Sequence, residues 1–218
     1  VTPAERPRSP RMPRDARRAQ VLLVARDLFS GDGFHHVSMD DIAERAQVSK
    51  PVLYRHFPSK LDLYLAVVEE QGVELLRAVD QALEPIEQGP VHRGDGRGVV
   101  QALVRAYFDF VEVAGESSSL LFESDVTHDA AVRARVEGAG SEAARGIARV
   151  LGDVTGLPTD HTALLAATLV GMAQTGATSR FRGGGGLEVD DAVDLVARLA
   201  WHGVAGLIRE DYEYGTTA

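Results

Sequence analysis

The segment Val48-Ser49-Lys50-Pro51-Val52-Leu53-Tyr54-Arg55-His56-Phe57 constrains this chain more than any other part of it. Ser49 suits the N-cap of a helix, and Pro51 falls in its first turn, where a missing N–H costs nothing. Val52, Leu53 and Phe57 are spaced to hold that helix against a core. Lys50, Tyr54, Arg55 and His56 are left on the outer face. Donors on such a face reach phosphates, and the helix's first residues reach base edges. For this segment alone, a solvated and capped surface helix is an equal alternative; what precedes it decides.

From Asp15 to about Ser30, Val21, Leu22, Val24, Ala25, Leu28 and Phe29 recur at helical spacing, and Gly31-Asp32-Gly33 is expected to stop the helix. His35 and His36 are adjacent rather than at ligand spacing, so no metal site is expected. Ser38 reads as the N-cap of a second helix, with Asp40 and Asp41 favourable to its dipole. Ile42, Ala43 and Ala46 make its buried side, and Gln47-Val48-Ser49 turns the chain into the cationic segment. Two short helices about a tight turn, braced by a longer one, form a helix-turn-helix module.

The net charge of −9 argues against a nucleic-acid partner until its distribution is read. Residues 1–60 carry 11 Lys/Arg against 7 Asp/Glu, and the remainder carries 12 against 25. A basic head on an acidic body is expected when only the head meets a polyanion. Residues 1–14 alternate Pro3, Pro7, Pro10 and Pro13 with Arg6, Arg8, Arg11 and Arg14. They read as a flexible basic arm, either lying on DNA or simply solvated. The chain has no cysteine, so disulfide and thiolate metal sites are excluded. The longest apolar run, roughly 163–173, is too short to span a bilayer. With no leader-like segment, a cytoplasmic protein is expected.

The organisation expected is all-α: a basic arm at 1–14, a three-helix head at 15–59, and a helical body at 60–212. Pro58-Ser59 breaks and caps, and a long helix runs from about Lys60 to Leu83. As the continuous link between head and body, it is where a ligand would move the head. A loop is expected from Glu84 to Gly98, then helices at about Val99–Glu116, Asp129–Leu151, Thr159 or Asp160 to Ser179, and Asp190–Ile208. Gly138, Gly140 and Gly146 weaken the Asp129–Leu151 helix by about 1 kcal/mol each relative to alanine, which suggests that they leave room for a ligand. The following helix is apolar nearly all round, so one side is expected to meet a second subunit. Gly183 to Gly186 follows no strand and is not a phosphate-binding loop.

The runs Leu28-Phe29, Gly33-Phe34, Ser38-Met39-Asp40-Asp41-Ile42-Ala43 and Ala46 through Phe57, with Ser59-Lys60 and Leu63, resemble the DNA-binding domain of the TetR family of one-component repressors. Gln47 departs from the family, which usually has glycine in this turn. The resemblance implies an all-helical homodimer on an inverted-repeat operator, paired through the last two long helices, with a ligand domain that alters DNA affinity. It further implies that Tyr54, His56 and Lys60 hold phosphates and that Ser38 caps its helix beside the backbone. Ser49 begins the reading helix. Lys50, Pro51 and Val52 face base edges, and Arg55 serves either purpose.

A narrower resemblance lies in the body. Ala106-Tyr107-Phe108-Asp109-Phe110-Val111-Glu112, Leu120 through Asp125 and Leu169-Val170-Gly171-Met172 are similar to actinobacterial TetR-type regulators of fatty-acid synthesis that sense long-chain acyl-CoA. That implies an elongated apolar tunnel, lined here by Leu75, Leu103, Tyr107, Phe110, Leu121, Phe122, Ile147 and Met172, with Arg133, Arg135 or Arg145 toward the CoA phosphates. Each of these residues is equally a core or surface residue by spacing alone. No cofactor, metal or membrane partner is expected. The rival ligand is a planar hydrophobic cation, which would need buried carboxylates among Asp109, Glu112 and Glu123. A Mg²⁺ complex would need partners for His128 or His161. An enzyme built on Ser117–Ser119, Asp125 and His128 lacks a nucleophile elbow and paired carboxylates. A dimer with no ligand is the remaining alternative.

Overall fold

The computed structural model describes residues 13–87, 95–122, 130–183 and 186–205. All the regular structure among them is helical: α1 (Arg14–Asp32), α2 (Met39–Arg45), α3 (Lys50–His56), α4 (Lys60–Glu87), α5 (Asp95–Ala114), α6 (Ser118–Phe122), α7 (Ala130–Thr155), α8 (Thr159–Arg182) and α9 (Val189–Ala205). A single 3-10 turn, Gly115–Ser117, joins α5 to α6. The chain divides into two compact units, residues 1–67 and 68–218. The boundary therefore falls inside α4, beyond the expected break at 59/60. The reason is packing. Leu63, Tyr64 and Val67 are buried, and the Tyr64 ring meets Phe29 and Phe34 edge-on at 5.3 and 5.0 Å.

In the first unit, Val21, Leu22, Ala25 and Phe29 of α1 pack with Ile42, Ala43 and Ala46 at α2 and with Leu53 and Phe57 at α3, as their spacing predicts. α1 runs through Gly31 and ends at Asp32, with Gly33 as its C-cap. Gly33 takes a positive φ of 79° and donates its N–H to the Phe29 carbonyl, so it, rather than Gly31, is the stop. Ser38 caps α2 with a full capping box. Its hydroxyl accepts from the Asp41 N–H at 3.1 Å, and Asp41 Oδ2 accepts from the Ser38 N–H at 2.8 Å.

In the second unit, α7 packs along α8, and α5 packs on both α8 and α9. Several boundaries differ from expectation. α4 continues through Pro85, which lies in its last turn, where only one backbone hydrogen bond is lost. α5 starts at Asp95, and at Gly96 the Trp201 ring approaches so closely that a Cβ there would stand 2.8 Å from it. The N-cap of α8 is Pro158, not Thr159 or Asp160. α9 starts at Val189. The segments 1–12, 123–129 and 206–218 lie outside the described residues, and with them Glu123, Asp125, His128, Leu207 and Ile208.

One expectation about α7 is corrected. Gly146 does not leave room for a ligand: a Cβ there would lie 3.1 Å from Leu83 Cδ1, so it admits close approach of α4. Gly138 is exposed with open space beside it, and Gly140 also has nothing within 4 Å. In α9 the inward residues are Ala192, Val193, Ala197 and Ala200, while Leu195 and Leu199 are 55% and 65% exposed. α8 likewise buries Thr162, Ala166, Ala173 and Ala177 and leaves Leu164 70% exposed.

Candidate nucleic-acid interface and ligand cavity

α2 ends in a Schellman motif: Gln47 N–H donates to the Glu44 carbonyl at 3.0 Å and Val48 N–H to Ala43 at 2.9 Å. Gln47 stands at the left-handed position of that motif with φ 53°, the position where the resemblance implies glycine. The turn therefore forms without glycine, at the expense of local backbone strain. It delivers the chain to Ser49, which occupies the N-cap of α3 but makes no side-chain cap. Proline at the second helical position has no N–H to offer, and Val52 N–H goes to the Ser49 carbonyl at 2.9 Å. The cap expected of the Ser49 hydroxyl is therefore absent, and the hydroxyl stays exposed.

α3 separates its faces as expected. Leu53 is fully buried and Phe57 nearly so, while Lys50, Pro51, Tyr54 and Arg55 are exposed and Val52 and His56 half-buried. Tyr54, 46% exposed, is not a packing residue. Lys50 Nζ donates to Asp40 Oδ2 at 2.7 Å, and this bond and charge hold the ammonium above the ordinary lysine range. Lys60 is largely committed within the protein: it donates to the Phe34 and Val37 carbonyls at 2.8 and 2.9 Å and sits 4.3 Å from the Phe34 ring. It clamps the loop between α1 and α2, which leaves one of an ammonium's three N–H groups for a phosphate.

Beside α3 lies an open groove of about 640 Å³, walled by Arg14, Arg17, Gln47, Ser49, Val52, Arg55 and His56. Burial, and then the charges of Arg14, Arg55, Arg18 and Arg17, push the His56 imidazole below its ordinary value. Arg18 itself is anchored over the Phe57 ring at 5.0 Å. Arg14, expected in the flexible basic arm, is instead the first residue of α1 and stands in the groove wall. Arg17 enters the candidate interface here for the first time; in the sequence it counts only as charge, because the crossing of α1 and α3 decides which arginines of α1 face the groove. Opposed to them in the groove wall there is no carboxylate among the described residues, so the groove is suited to a polyanion.

In the body, Leu103, Tyr107, Ile147 and Met172 meet around one apolar cavity. Its remaining wall comes mainly from Leu169, Val170 and Val196, on α8 and α9. Leu169 and Val170 lie in a run that carries the narrower resemblance, but the sequence assigns neither of them, nor Val196, to the tunnel wall. The other four expected residues do not line the cavity. Leu75 and Leu121 are buried in the core. Phe122 stacks on Tyr107 at 6.3 Å and meets Phe110 edge-on at 5.6 Å. The cavity volume is about 20 Å³, room for a water-sized group and not for a chain, so the expected tunnel is closed in this structure. Leu, Phe and Met side chains at helical spacing have packed as core.

Among the described residues, the polar groups of the body named for other chemistries are exposed or engaged elsewhere. The Ser117, Ser118 and Ser119 hydroxyls donate to carbonyls three residues back, at 2.6 to 2.8 Å, and are spent on their own turns. Asp109 and Glu112 are exposed, and Glu112 pairs with Arg180, so neither offers a buried carboxylate to a cation. Arg145 lines a surface groove with Arg77 and Arg149, where Asp80, Glu84 and Glu142 balance them. Arg133 is exposed, and the Arg135 side chain lies outside the described residues. His161 is exposed, and no His, Asp and Glu cluster among the described residues would hold a metal. No helix among them is long and apolar enough to cross a membrane.

Residues 21–67 match the profile of bacterial regulatory proteins of the tetR family. The chain is 35% identical over 198 residues to the HTH-type transcriptional activator FasR of Mycolicibacterium smegmatis, covering 91% of this chain and 87% of that protein. Among solved structures it resembles a TetR-like transcriptional regulator from Rhodococcus sp. RHA1 (TM-score 0.71, 32% identity, 90% of this chain and 100% of that one). It also shares the fold of the transcriptional regulator FadR from Bacillus subtilis in complex with stearoyl-CoA (TM-score 0.67, 13% identity, 84% and 96%).

Proposed function

The chain belongs to the TetR family of bacterial regulatory proteins, and from that premise we propose a homodimeric, cytoplasmic regulator whose operator affinity is set by a long-chain acyl-CoA. The chain is a DNA-binding transcription regulator and not an enzyme. One observation carries the DNA-reading part: Leu53 and Phe57 hold α3 down while Lys50, Tyr54 and Arg55 stand outward beside a groove walled by Arg14 and Arg17. On this reading Lys50, Pro51 and Val52 meet base edges, and Tyr54, His56 and the groove arginines hold phosphates. Ser38 and Ser49 stand beside the backbone with exposed hydroxyls.

The dimer reading rests on leucines that one subunit leaves in water, Leu164, Leu195 and Leu199, on the last two long helices. Two copies of α3 then meet successive major grooves if they stand about 34–36 Å apart, or a multiple of that. The acyl-CoA reading rests on the apolar character of the closed cavity and on the absence of a buried carboxylate among the described residues. It is also supported by the shared fold of the FadR complex with stearoyl-CoA. A chain entering the cavity has to part α5, α7, α8 and α9, and such a shift is what would be passed to α4.

The test is selection of duplexes by the purified full chain from a random pool, followed by titration of palmitoyl-CoA into the selected complex. An inverted repeat whose binding changes with palmitoyl-CoA supports the reading. Selection of a single half-site dismisses the dimer, and an affinity indifferent to acyl-CoA dismisses the effector.

A further inference from the structure

The ring of Tyr107 forms part of the wall of the apolar cavity in the body, and among the described lining residues it is the one side chain with a hydrogen-bond donor. The residue is only 1% exposed, and its hydroxyl is buried with no hydrogen-bond partner in the protein. Such an orphan is unfavourable: removing a buried hydroxyl from water without replacing its hydrogen bond costs about 1–3 kcal/mol. A water in this cavity finds no second side-chain partner among the described lining residues, since the others are Val, Leu, Ile, Met and Ala and a buried water needs at least two polar partners. Phenylalanine would fill the same space without the penalty. Burial also pushes the phenol's ionisation upward, so the group stays a proton donor at any physiological pH.

We infer that the Tyr107 hydroxyl donates a hydrogen bond to a neutral carbonyl oxygen of the ligand, so that the cavity selects an acyl derivative over a plain hydrocarbon chain. This rests on the reading of the body as a sensor of apolar ligands and specifies the ligand group that meets the protein's interior. A carboxylate is disfavoured at the same point. One neutral donor in an apolar wall does not replace the hydration of a full charge, and the described lining holds no cation. A thioester carbonyl carries no charge and accepts one hydrogen bond. It relieves the orphan when it arrives, so the pocket is more stable filled than closed. The acyl chain then lies among Leu103, Ile147, Leu169 and Met172, whose side chains adapt to its shape.

The experiment compares the full chain with Tyr107→Phe against three probes of one chain length: palmitoyl-CoA, its hexadecyl thioether analogue lacking the carbonyl, and palmitate. Affinities are read by calorimetry, and the thioester carbonyl band by isotope-edited infrared spectroscopy. The wild type is expected to bind the thioester about tenfold tighter than the thioether, and palmitate weakest, with the carbonyl band shifted to lower frequency. Tyr107→Phe is expected to abolish the preference and the shift while leaving thioether affinity intact. Without ligand it should melt at or above the wild-type temperature. A preference that survives Tyr107→Phe overturns the inference, as does a variant that melts lower, which would show that the hydroxyl has a partner. If the wild type binds none of the probes, the ligand reading falls as well. That outcome is distinct, because the melting comparison still reports whether the hydroxyl is an orphan.

Discussion

Lys50 Nζ lies 2.7 Å from Asp40 Oδ2, joining the first residue of α3 to the first turn of α2. The two side chains are 62% and 60% exposed, so water screens the pair and it adds little to folding. Its consequence concerns recognition. The proposed base-reading ammonium is already partnered, and an acceptor on DNA has to displace a carboxylate to gain it. Asp40 also sets a negative charge beside the surface proposed to approach a polyanion.

Replacing that carboxylate should therefore loosen discrimination. Asp40→Asn is expected to raise affinity for any duplex about three- to tenfold at low salt, with the gain shrinking as salt is added. It should also narrow the gap between operator and scrambled DNA. Fluorescence anisotropy with both duplexes across a salt series measures this. Equal or weaker binding to the scrambled duplex would show that Asp40 does not restrain Lys50.

His56 makes a second prediction, one of sign. Its imidazole is held below its ordinary value by burial and by Arg14, Arg55, Arg18 and Arg17, so it is neutral near pH 7. A phosphate in the groove offsets those charges and favours protonation, so binding takes up a proton. Operator affinity should rise between about pH 8 and pH 6, and His56→Gln should flatten that rise. Folding carries the opposite sign. The unfolded chain takes up the proton at the ordinary value of 6.5, before the folded one does, so stability falls as pH drops below 6.5 toward the folded value. Melting curves of the free protein at several pH values check this, and a Tm that rises on acidification would exclude a depressed His56.

The two faces of α3 are legible in the sequence because cap, proline and apolar spacing all act within one turn or two. The Asp40–Lys50 pair is not, since the two residues lie on different helices and meet only once the turn at Gln47 has set their angle. Leu103, Tyr107, Ile147 and Met172 come together because each lies on the apolar stripe of a helix in one core. Leu75 and Leu121 share that pattern and do not reach the cavity, because a stripe tells which side is buried and not what lies opposite. Gly146 illustrates the same limit. A missing side chain reads identically whether it leaves a void or admits a neighbour, and here Leu83 is the neighbour.

The third prediction concerns Gln47. At φ 53° it holds the position where only glycine is free of Cβ crowding, and both hydrogen bonds of its motif are backbone to backbone. Gln47→Gly should keep the motif and relieve the strain, raising unfolding free energy by about 0.5–1 kcal/mol after the greater entropy of an unfolded glycine is counted. Gln47→Val should lower it, since a β-branched residue tolerates this backbone least. Urea titration of the three proteins gives the order directly. A glycine variant less stable than wild type would mean that the Gln47 side chain, which lines the cationic groove, contributes more than the strain it imposes.

The last prediction follows from an inversion of size between the two sides of α8 and α9. The inward positions are mostly alanine (Ala166, Ala173 and Ala177 on α8, Ala192, Ala197 and Ala200 on α9), while Leu164, Leu195 and Leu199 face out at 70%, 55% and 65% exposure. A helix that needed only its own subunit would place the leucines inward, because each fully buried leucine is worth about 1.5–3 kcal/mol. Their outward position is stable if a second subunit covers them, which matches the proposed four-helix interface. Leu199→Asp puts a charge where that cover would sit but disturbs no contact of the single subunit's core. It should leave helicity intact and shift the mass from two subunits to one by light scattering. Operator affinity should fall at least a hundredfold, since one head reads only half the site. A Leu199→Asp protein that stays dimeric at micromolar concentration would place the interface elsewhere and leave these leucines without a role.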